Sequence, residues 1–190
     1  MAKAPLIARI DADDIAVKDR LEKQVQFMNS NLDVLAVGTA ICIIDEENKP
    51  IKDIYFPSRS EQLVERMQKN NQFAHPSVMF RKDKIIQIGG YREILHYAED
   101  YDLWLRLSEM GAIENLKEVL LLYRDHSKNI SKNKHFKQWI AFMGAKFSAA
   151  KRREGNRDPM DDLEAPLTLE KLKHAAIIPK KDLDDFSKQL

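Results

Sequence analysis

The chain has 190 residues, 44% hydrophobic and 32% charged, with 31 basic against 30 acidic side chains and a formal net charge of +1. This is the composition of a folded domain with a charge-rich surface, long enough for a sizeable core and a helical appendage, and its balance of charge argues against a nucleic-acid partner. The single cysteine, Cys42, excludes an intramolecular disulfide and any multi-cysteine metal site, and no stretch reaches the ~20 apolar residues that span a bilayer. A reducing cytoplasm is the expected location, since the short apolar run at the start is too brief for a signal peptide.

Residues 6–10, Leu6-Ile7-Ala8-Arg9-Ile10, read as a strand, apolar on both faces as a central buried strand is. It stops at the acidic run Asp11-Ala12-Asp13-Asp14. Asp19-Arg20-Leu21-Glu22 has the form of a capping box, and Leu21, Val25 and Met28 at helical spacing predict a helix over 19–29. A strand is predicted over 34–44, a turn over 45–50, a returning strand over 51–56, a helix over 60–70 and a short strand over 76–80. Gly89-Gly90 marks a tight loop. The run 99–110 predicts a helix with Asp100, Leu103, Trp104 and Leu107 on one face and Gly111 as its C-terminal cap. A buried strand follows at 119–123. The stripe Phe136, Trp139, Ile140, Met143, Phe147, Ala150 predicts a long amphipathic helix ending in Lys151-Arg152-Arg153, and the polar remainder holds a short helix near 169–176. Alternating strands and helices give an α/β class. The boundary falls near residue 130, with a helical extension and tail over 131–190.

Three clusters could carry chemistry. Asp11 and Asp13 fall on one side of an extended backbone at the carboxyl end of a strand, where open α/β sheets place ligands. Converging carboxylates call for a cation, and hard oxygens suit Mg2+ or Mn2+; read alone, the same run is equally a solvated loop capping the next helix. Glu99 and Asp100 open a helix, where acids complement the dipole whether or not they react. Asp100 also continues the Leu103, Trp104, Leu107 stripe, so it is expected to face a cleft, as a general base would. Tyr123-Arg124-Asp125-His126 follows a buried strand, and the other histidines, His75, His96, His135 and His174, show no ligand spacing, so zinc is not expected. Gly89 and Gly90 serve either close backbone approach to a ligand or a plain turn. Lys151-Arg152-Arg153 either complements its helix dipole or touches an anionic membrane surface or partner.

Taken in order, these pieces resemble a family. Asp11-Ala12-Asp13-Asp14 with Asp19-Arg20-Leu21-Glu22, His75-Pro76-Ser77-Val78, Gly89-Gly90-Tyr91-Arg92, the run Ala98-Glu99-Asp100-Tyr101-Asp102-Leu103-Trp104-Leu105-Arg106, and Tyr123-Arg124 with His126 are similar to the bacterial family 2 glycosyltransferases of the GT-A fold, over about residues 6–126. The resemblance implies part of a Rossmann-like nucleotide-diphospho-sugar transferase domain, residues 1–130, and inverting transfer of a sugar to a glycan or lipid-linked acceptor. It implies Asp11 and Asp13 as a DXD motif at the donor, and Asp13, Asp11 and His126 toward Mn2+ or Mg2+. Gly89 and Gly90 are then donor-binding, Asp100 is the catalytic base, and Glu99 binds the acceptor or orients that base.

In that family the strand before the acidic run is the fourth, so the resemblance implies a chain lacking the N-terminal nucleotide-binding part. Donor binding and turnover are then expected to need that part. An apolar first strand without its neighbours is expected to promote self-association, and the basic helix end suggests peripheral contact with the inner face of the membrane. The alternative is a non-catalytic remnant or interaction module keeping half of the fold. A metal-dependent phosphohydrolase is weaker, because no further acid or histidine ligands stand at neighbouring strand ends.

Overall fold

Strand β3 (Val34–Ile44) organises the sheet of the computed structural model, which describes residues 3–125 and 135–174. All of β3 except Ile43 is buried, as suits a run of Val, Ile, Leu and Ala without polar alternation. Strand β6 (Ala112–Arg124) pairs with it in parallel from end to end. On the opposite edge β5 (Met79–Arg81) takes the first half of β3 and β4 (Pro50–Ile54) the second, both antiparallel. Strand β1 (Leu6–Ala8) lies beyond β5, and β2 (Ile15–Ala16) beyond β6, so the order is β1-β5-β3-β6-β2. Among the described residues the strands belong to one compact unit, residues 3–90 and 106–125; residues 91–105 and 135–174 form a second.

The first strand, expected at the centre, is at an edge. Its partner is β5, in the register Leu6↔Arg81, Ile7↔Phe80, Ala8↔Met79, with Leu6 and Ile7 half-buried and Ala8 exposed. Its apolar character answers to packing on one face, where Leu6 joins the cluster of Met28, Val34, Val37 and Met79.

Helix α1 (Arg20–Ser30) forms as its spacing predicts but buries a different face. Arg20, Gln24 and Met28 are inside, whereas Leu21 and Val25 are exposed. Hydrogen bonding decides this. Arg20 donates to the Arg9 carbonyl at 2.7 Å and to Gln24 Oε1 at 3.0 Å, and Gln24 Nε2 donates to the carbonyls of Val37 at 3.0 Å and Ser77 at 2.9 Å. Buried polar groups with satisfied partners fix one arrangement of helix on sheet. The capping box is not made either: Asp19 forms no side-chain cap and pairs with Lys23 at 2.9 Å.

Helix α2 (Ser60–Met67) is shorter than predicted. Over 76–80 the chain makes a 3-10 turn, His75–Ser77, before β5. Ser77 Oγ accepts the Thr39 amide at 3.2 Å and donates to the Ala74 carbonyl at 2.8 Å, which ties the turn to β3. A short helix the sequence reading did not foresee, α3 (Lys82–Gln87), leads into Gly89 and Gly90, whose φ of 81° and 69° lie in the left-handed region. A Cβ at either would meet no protein atom within 4 Å, and the backbone angle by itself favours glycine at both positions.

Helix α4 (Glu99–Ser108) is buried throughout 101–107, so Asp100, half-buried, does not top a single inward stripe. A helix enclosed all round carries apolar residues on every side, and Tyr101, Leu103, Trp104, Leu105 and Leu107 do so. Helix α5 (His135–Arg153) buries Ile140, Ala141, Met143, Gly144, Ala145, Ser148 and Ala149. The predicted stripe is therefore displaced: Phe136 is exposed, and Trp139 and Phe147 are half-buried. Small residues set the face because they admit close neighbours. A Cβ on Gly144 would stand 2.8 Å from Leu167 Cδ2 and 3.2 Å from Leu95 Cδ2, and Tyr101 stacks on Phe142 with ring centroids 4.5 Å apart. The chain continues through a 3-10 turn, Pro159–Asp162, to α6 (Leu169–His174).

A charged network ties the second unit together. Arg92 forks onto the fully buried Asp102, through Nη2 to Oδ1 and through Nε to Oδ2 at 3.0 Å, and its Nη1 donates to Asp158 Oδ2 at 2.8 Å. Asp158 also accepts from the Ser148 hydroxyl, from Arg152 and from the Met160 amide at 2.8 Å. Burial alone would push the Asp158 carboxyl up; the Ser148 hydroxyl, the Met160 amide and Arg92 overcome it and bring it down to about 2.

In the first unit a Cβ on Gly38 would collide with Asn115 Oδ1 and stand 2.5 Å from Phe73 Cδ1. Asn115 cannot give way cheaply, since its Nδ2 donates to the Pro57 carbonyl at 3.0 Å and the Gln72 carbonyl at 3.2 Å. Gly38→Ala is expected to cost ~1–3 kcal/mol in urea unfolding; a loss under ~0.5 kcal/mol would show that the pocket around Gly38 yields. In the second unit, the folded pKa of Asp158 lies below the usual carboxylate value, so its stabilisation is present above about pH 4 and is lost as pH falls toward about 2. Asp158→Asn should flatten the acid side of a melting-temperature profile in that window, and an unchanged acid slope would remove Asp158 as its source.

Candidate functional site

The acidic run joins β1 to β2 in the first unit. The Asp14 amide donates to the Asp11 carbonyl at 3.3 Å, closing a turn. Asp11 pairs with Arg9 at 2.8 Å, and Asp13 is exposed with its carbonyl accepting from Arg124 Nε at 2.8 Å. Asp14 is the member drawn furthest from solvent. Its Oδ1 accepts the Arg124 amide at 2.9 Å, while Oδ2 is buried with no hydrogen-bond partner among the described residues. Burial pushes its carboxyl up to about 6, against the Arg124 amide bond, and the charges of Asp13 and Asp11 add to the rise.

Arg124, the last residue of β6, holds this loop in place. Besides the Asp13 carbonyl, its guanidinium reaches the carbonyls of Asp45 at 2.8 Å and Glu46 at 3.3 Å and Asn48 Oδ1 at 2.6 Å. That β3–β4 turn is itself shaped by Asp45 Oδ1, which accepts the amides of Glu47 at 2.9 Å and Lys49 at 2.8 Å, and by the positive φ of Asn48, 66°. Burial raises the Tyr123 phenol pKa, and the charges of Asp14, Asp11, Asp13 and Asp125 raise it further, so a tight acidic field surrounds the end of β6. Burial, with the Arg9 charge adding, brings His75 down to about 3, so it is neutral near pH 7. The Gly89-Gly90 loop is fastened separately, by Arg106 donating to the carbonyls of Ile88 and Gly90, each at 2.7 Å.

Glu99 and Asp100 occupy the first turn of α4, in the part that belongs to the second unit. Glu99 Oε2 is buried without a hydrogen-bond partner among the described residues, and His96 Nδ1 stands 4.0 Å from it. Within the first unit, then, the fold gathers Asp11 and Asp13 with Asp14, Arg9 and Arg124 and shapes Gly89-Gly90; within the second it sets Glu99 beside Asp100. His126 lies outside the described residues. Among the described residues no three His, Cys, Asp or Glu side chains form a ready-made metal cluster.

Sequence reasoning gave no separate role to Asp14, Arg9 or Arg124. Only the position of Tyr123-Arg124 just past a strand hinted at the last, and nothing in spacing announces a hydrogen bond between residues 110 positions apart.

The fold is shared with a solved structure of S. aureus TarS, at TM-score 0.52 and 12% identity over 95% of this chain and 35% of that one. The description Glycosyltransferase like family 2 matches residues 1–152, and the chain belongs to that family. It is 42% identical over 134 residues to the O-antigen biosynthesis glycosyltransferase WbnJ of Escherichia coli, covering 69% of this chain and 52% of the relative. It is 38% identical over 131 residues to the amylovoran biosynthesis glycosyltransferase AmsE of Erwinia amylovora, covering 68% and 48%. The chain thus spans about half the length of the curated relatives it matches. Among the described residues no helix is long and apolar enough to cross a membrane.

The clamp is testable on its own. Arg124→Lys keeps the charge and loses the planar fork. Amide exchange at Asp14, Ile15 and Ala16 is expected to quicken ~10-fold or more while global stability changes by less than ~1 kcal/mol. Unchanged protection of that segment would show that the loop holds its shape without Arg124.

Proposed function

We propose that the chain carries the acidic-loop and base-bearing parts of an inverting glycosyltransferase, which moves a sugar from a nucleotide-diphosphate donor to a glycan or lipid-linked acceptor. The observation that carries this reading is the family match over residues 1–152, which contains both the acidic run and the Glu99–Asp100 pair. Relatives in O-antigen and amylovoran biosynthesis support a growing glycan as acceptor. In this reading the protein works in the cytoplasm, with peripheral contact between the basic end of α5 and the inner membrane face as the lesser alternative.

The donor set on the loop suits a divalent cation. Asp11 and Asp13 offer hard oxygens, Asp14 Oδ2 beside them is buried without a hydrogen-bond partner among the described residues, and Mg2+ or Mn2+ takes one or two carboxylates and completes its shell from water and phosphate. Asp13 and Asp11, with His126, are the residues that would hold it. Bound there, the cation would offset the charge of the departing diphosphate.

The remaining steps belong to side chains. Asp100 takes the proton from the acceptor hydroxyl as that oxygen attacks the anomeric carbon and the bond to the diphosphate oxygen breaks. Glu99 holds the acceptor or orients the base, and the Gly89-Gly90 loop borders the donor sugar. One displacement inverts the anomeric centre and needs no covalent intermediate with the protein. A second reading, a non-catalytic module with the same fold, draws on the match to half the length of the relatives.

The test supplies the chain with the nucleotide-binding part that the family resemblance implies and applies a panel of nucleotide-diphosphate sugars with Mn2+, following donor binding by calorimetry and nucleoside-diphosphate release on adding acceptor glycans. Asp100→Asn is expected to lower transfer ~10²–10⁴-fold with donor binding kept, and chelation or Asp13→Ala to weaken donor binding. Near-normal turnover in the Asp100 variant would reject the base. Donor binding without turnover in the unaltered chain would favour the second reading.

A further inference from the structure

Arg9 is a charged side chain at the acidic loop to which the proposed transfer gives no part. It follows directly on β1, and its guanidinium meets the carboxylate of Asp11, two residues further along. Its backbone is fixed at both ends. The amide donates to the Val78 carbonyl at 2.9 Å, and the carbonyl accepts from the buried Arg20 at 2.7 Å. The sheet and α1, rather than the loop, therefore place this side chain.

The state of the guanidinium points to a further ligand. Nη1 stands 2.8 Å from Asp11 Oδ1, yet it is buried and makes no hydrogen bond among the described residues. The contact is an ion pair without hydrogen-bond alignment, and a buried charged N–H group left unmatched calls for an acceptor. Arg124 is committed by contrast, with its guanidinium on the carbonyls of Asp13, Asp45 and Glu46 and on Asn48 Oδ1. His75 adds no charge near pH 7, because burial and the Arg9 charge bring it down to about 3. Arg9 is thus a positive charge that the loop holds in reserve. The planar fork of a guanidinium suits phosphoryl oxygens. A bare anion would be repelled by Asp11, Asp13 and Asp14, whereas a diphosphate accompanied by a divalent cation would not.

We propose that Arg9 binds one phosphoryl group of a diphosphate, giving up Asp11 to the cation that accompanies it. The exchange keeps charges matched: Asp11 passes from one cation to another, and Arg9 from one anion to another. That the diphosphate belongs to a sugar donor rests on the glycosyltransferase reading; that Arg9 takes a diphosphate does not.

Inorganic pyrophosphate is the probe, because it carries no nucleoside and needs no base pocket. The full chain in excess Mg2+ is titrated with pyrophosphate by calorimetry, with orthophosphate as a separate arm. Mn2+ binding without phosphate is followed by the paramagnetic resonance signal of the free ion. Pyrophosphate should bind ~10-fold or more tightly than orthophosphate. Arg9→Gln should weaken pyrophosphate ~10-fold or more and leave Mn2+ binding unchanged or tighter, since Asp11 is then released from a competing cation. A purely structural role would weaken both. Arg9→Lys keeps the charge and loses the fork, so it should recover part of the loss. If the Gln variant does not fold, the Lys variant is compared with the unaltered chain, and pyrophosphate should weaken ~3-fold or more with Mn2+ binding kept.

Pyrophosphate affinity within ~2-fold of the unaltered chain in the Arg9 variants, parallel loss of Mn2+ and pyrophosphate, equal binding of orthophosphate, or the absence of saturable pyrophosphate binding would each overturn the proposal. Pyrophosphate binding as described, in a chain that transfers no sugar once supplied with the nucleotide-binding part, would sink the catalytic reading alone. Unimpaired transfer by an Arg9→Gln chain that binds pyrophosphate like the unaltered one would sink the role of Arg9 alone.

Discussion

The parallel pairing of β3 with β6 is the constraint on which the first unit depends. β3 is covered on both faces and shared along its length between β6 on one edge and β5 and β4 on the other. Such a strand tolerates few errors of register, because a one-residue slip would turn every side chain to the wrong face. Gly38 shows how tight the pairing is: the space its Cβ would need is filled by Asn115 of β6 and by Phe73. The same pairing carries β6 to its end beside Ile44, with Arg124 opposite that residue, and so delivers the Arg124 guanidinium to the acidic loop. The loop is thus shaped by the sheet, and its own sequence is only half of the explanation.

Polar and charged side chains, more than apolar stripes, decide how the helices are oriented. Arg20 and Gln24 turn α1 so that its apolar Leu21 and Val25 face outward. Together they satisfy the carbonyls of Arg9, Val37 and Ser77, each of which would cost about 1–3 kcal/mol if buried without a partner. Arg92 plays the corresponding part in the second unit by compensating two buried acids from different segments. A buried ion pair of this kind is weak evidence of net stability but strong evidence of one specific arrangement, since removing one partner leaves a charge uncompensated.

The candidate site was legible in proportion to how local it is. Asp11 and Asp13 stand out because they follow an apolar run, and Glu99 with Asp100 because they open a strongly patterned helix. Neither observation needs more than ten consecutive residues. What surrounds them was not legible. Arg124 reaches Asp13 and Asp14 across more than a hundred positions, and the oxygens of Asp14 and Glu99 that lack a hydrogen-bond partner among the described residues become visible only when burial is known. A cavity beside α5 combines segments around residues 95, 138 and 167, and no periodicity links them.

By itself the amino-acid sequence determined that the chain folds as α/β, where β3, α4 and α5 run, and which acids sit at element ends; of β6 it marked only the last part. Local periodicity, β-branched content and turn residues act over a few positions and carry that information directly. Tertiary structure alone decided that the first strand is an edge, that α1 buries arginine and glutamine, that α5 packs on its small residues, and that Asp14 rather than its neighbours is withdrawn from water. Each of these outcomes depends on a partner distant in the chain. A hydrogen bond or close contact of that kind depends on spatial distance, which the order of residues does not record.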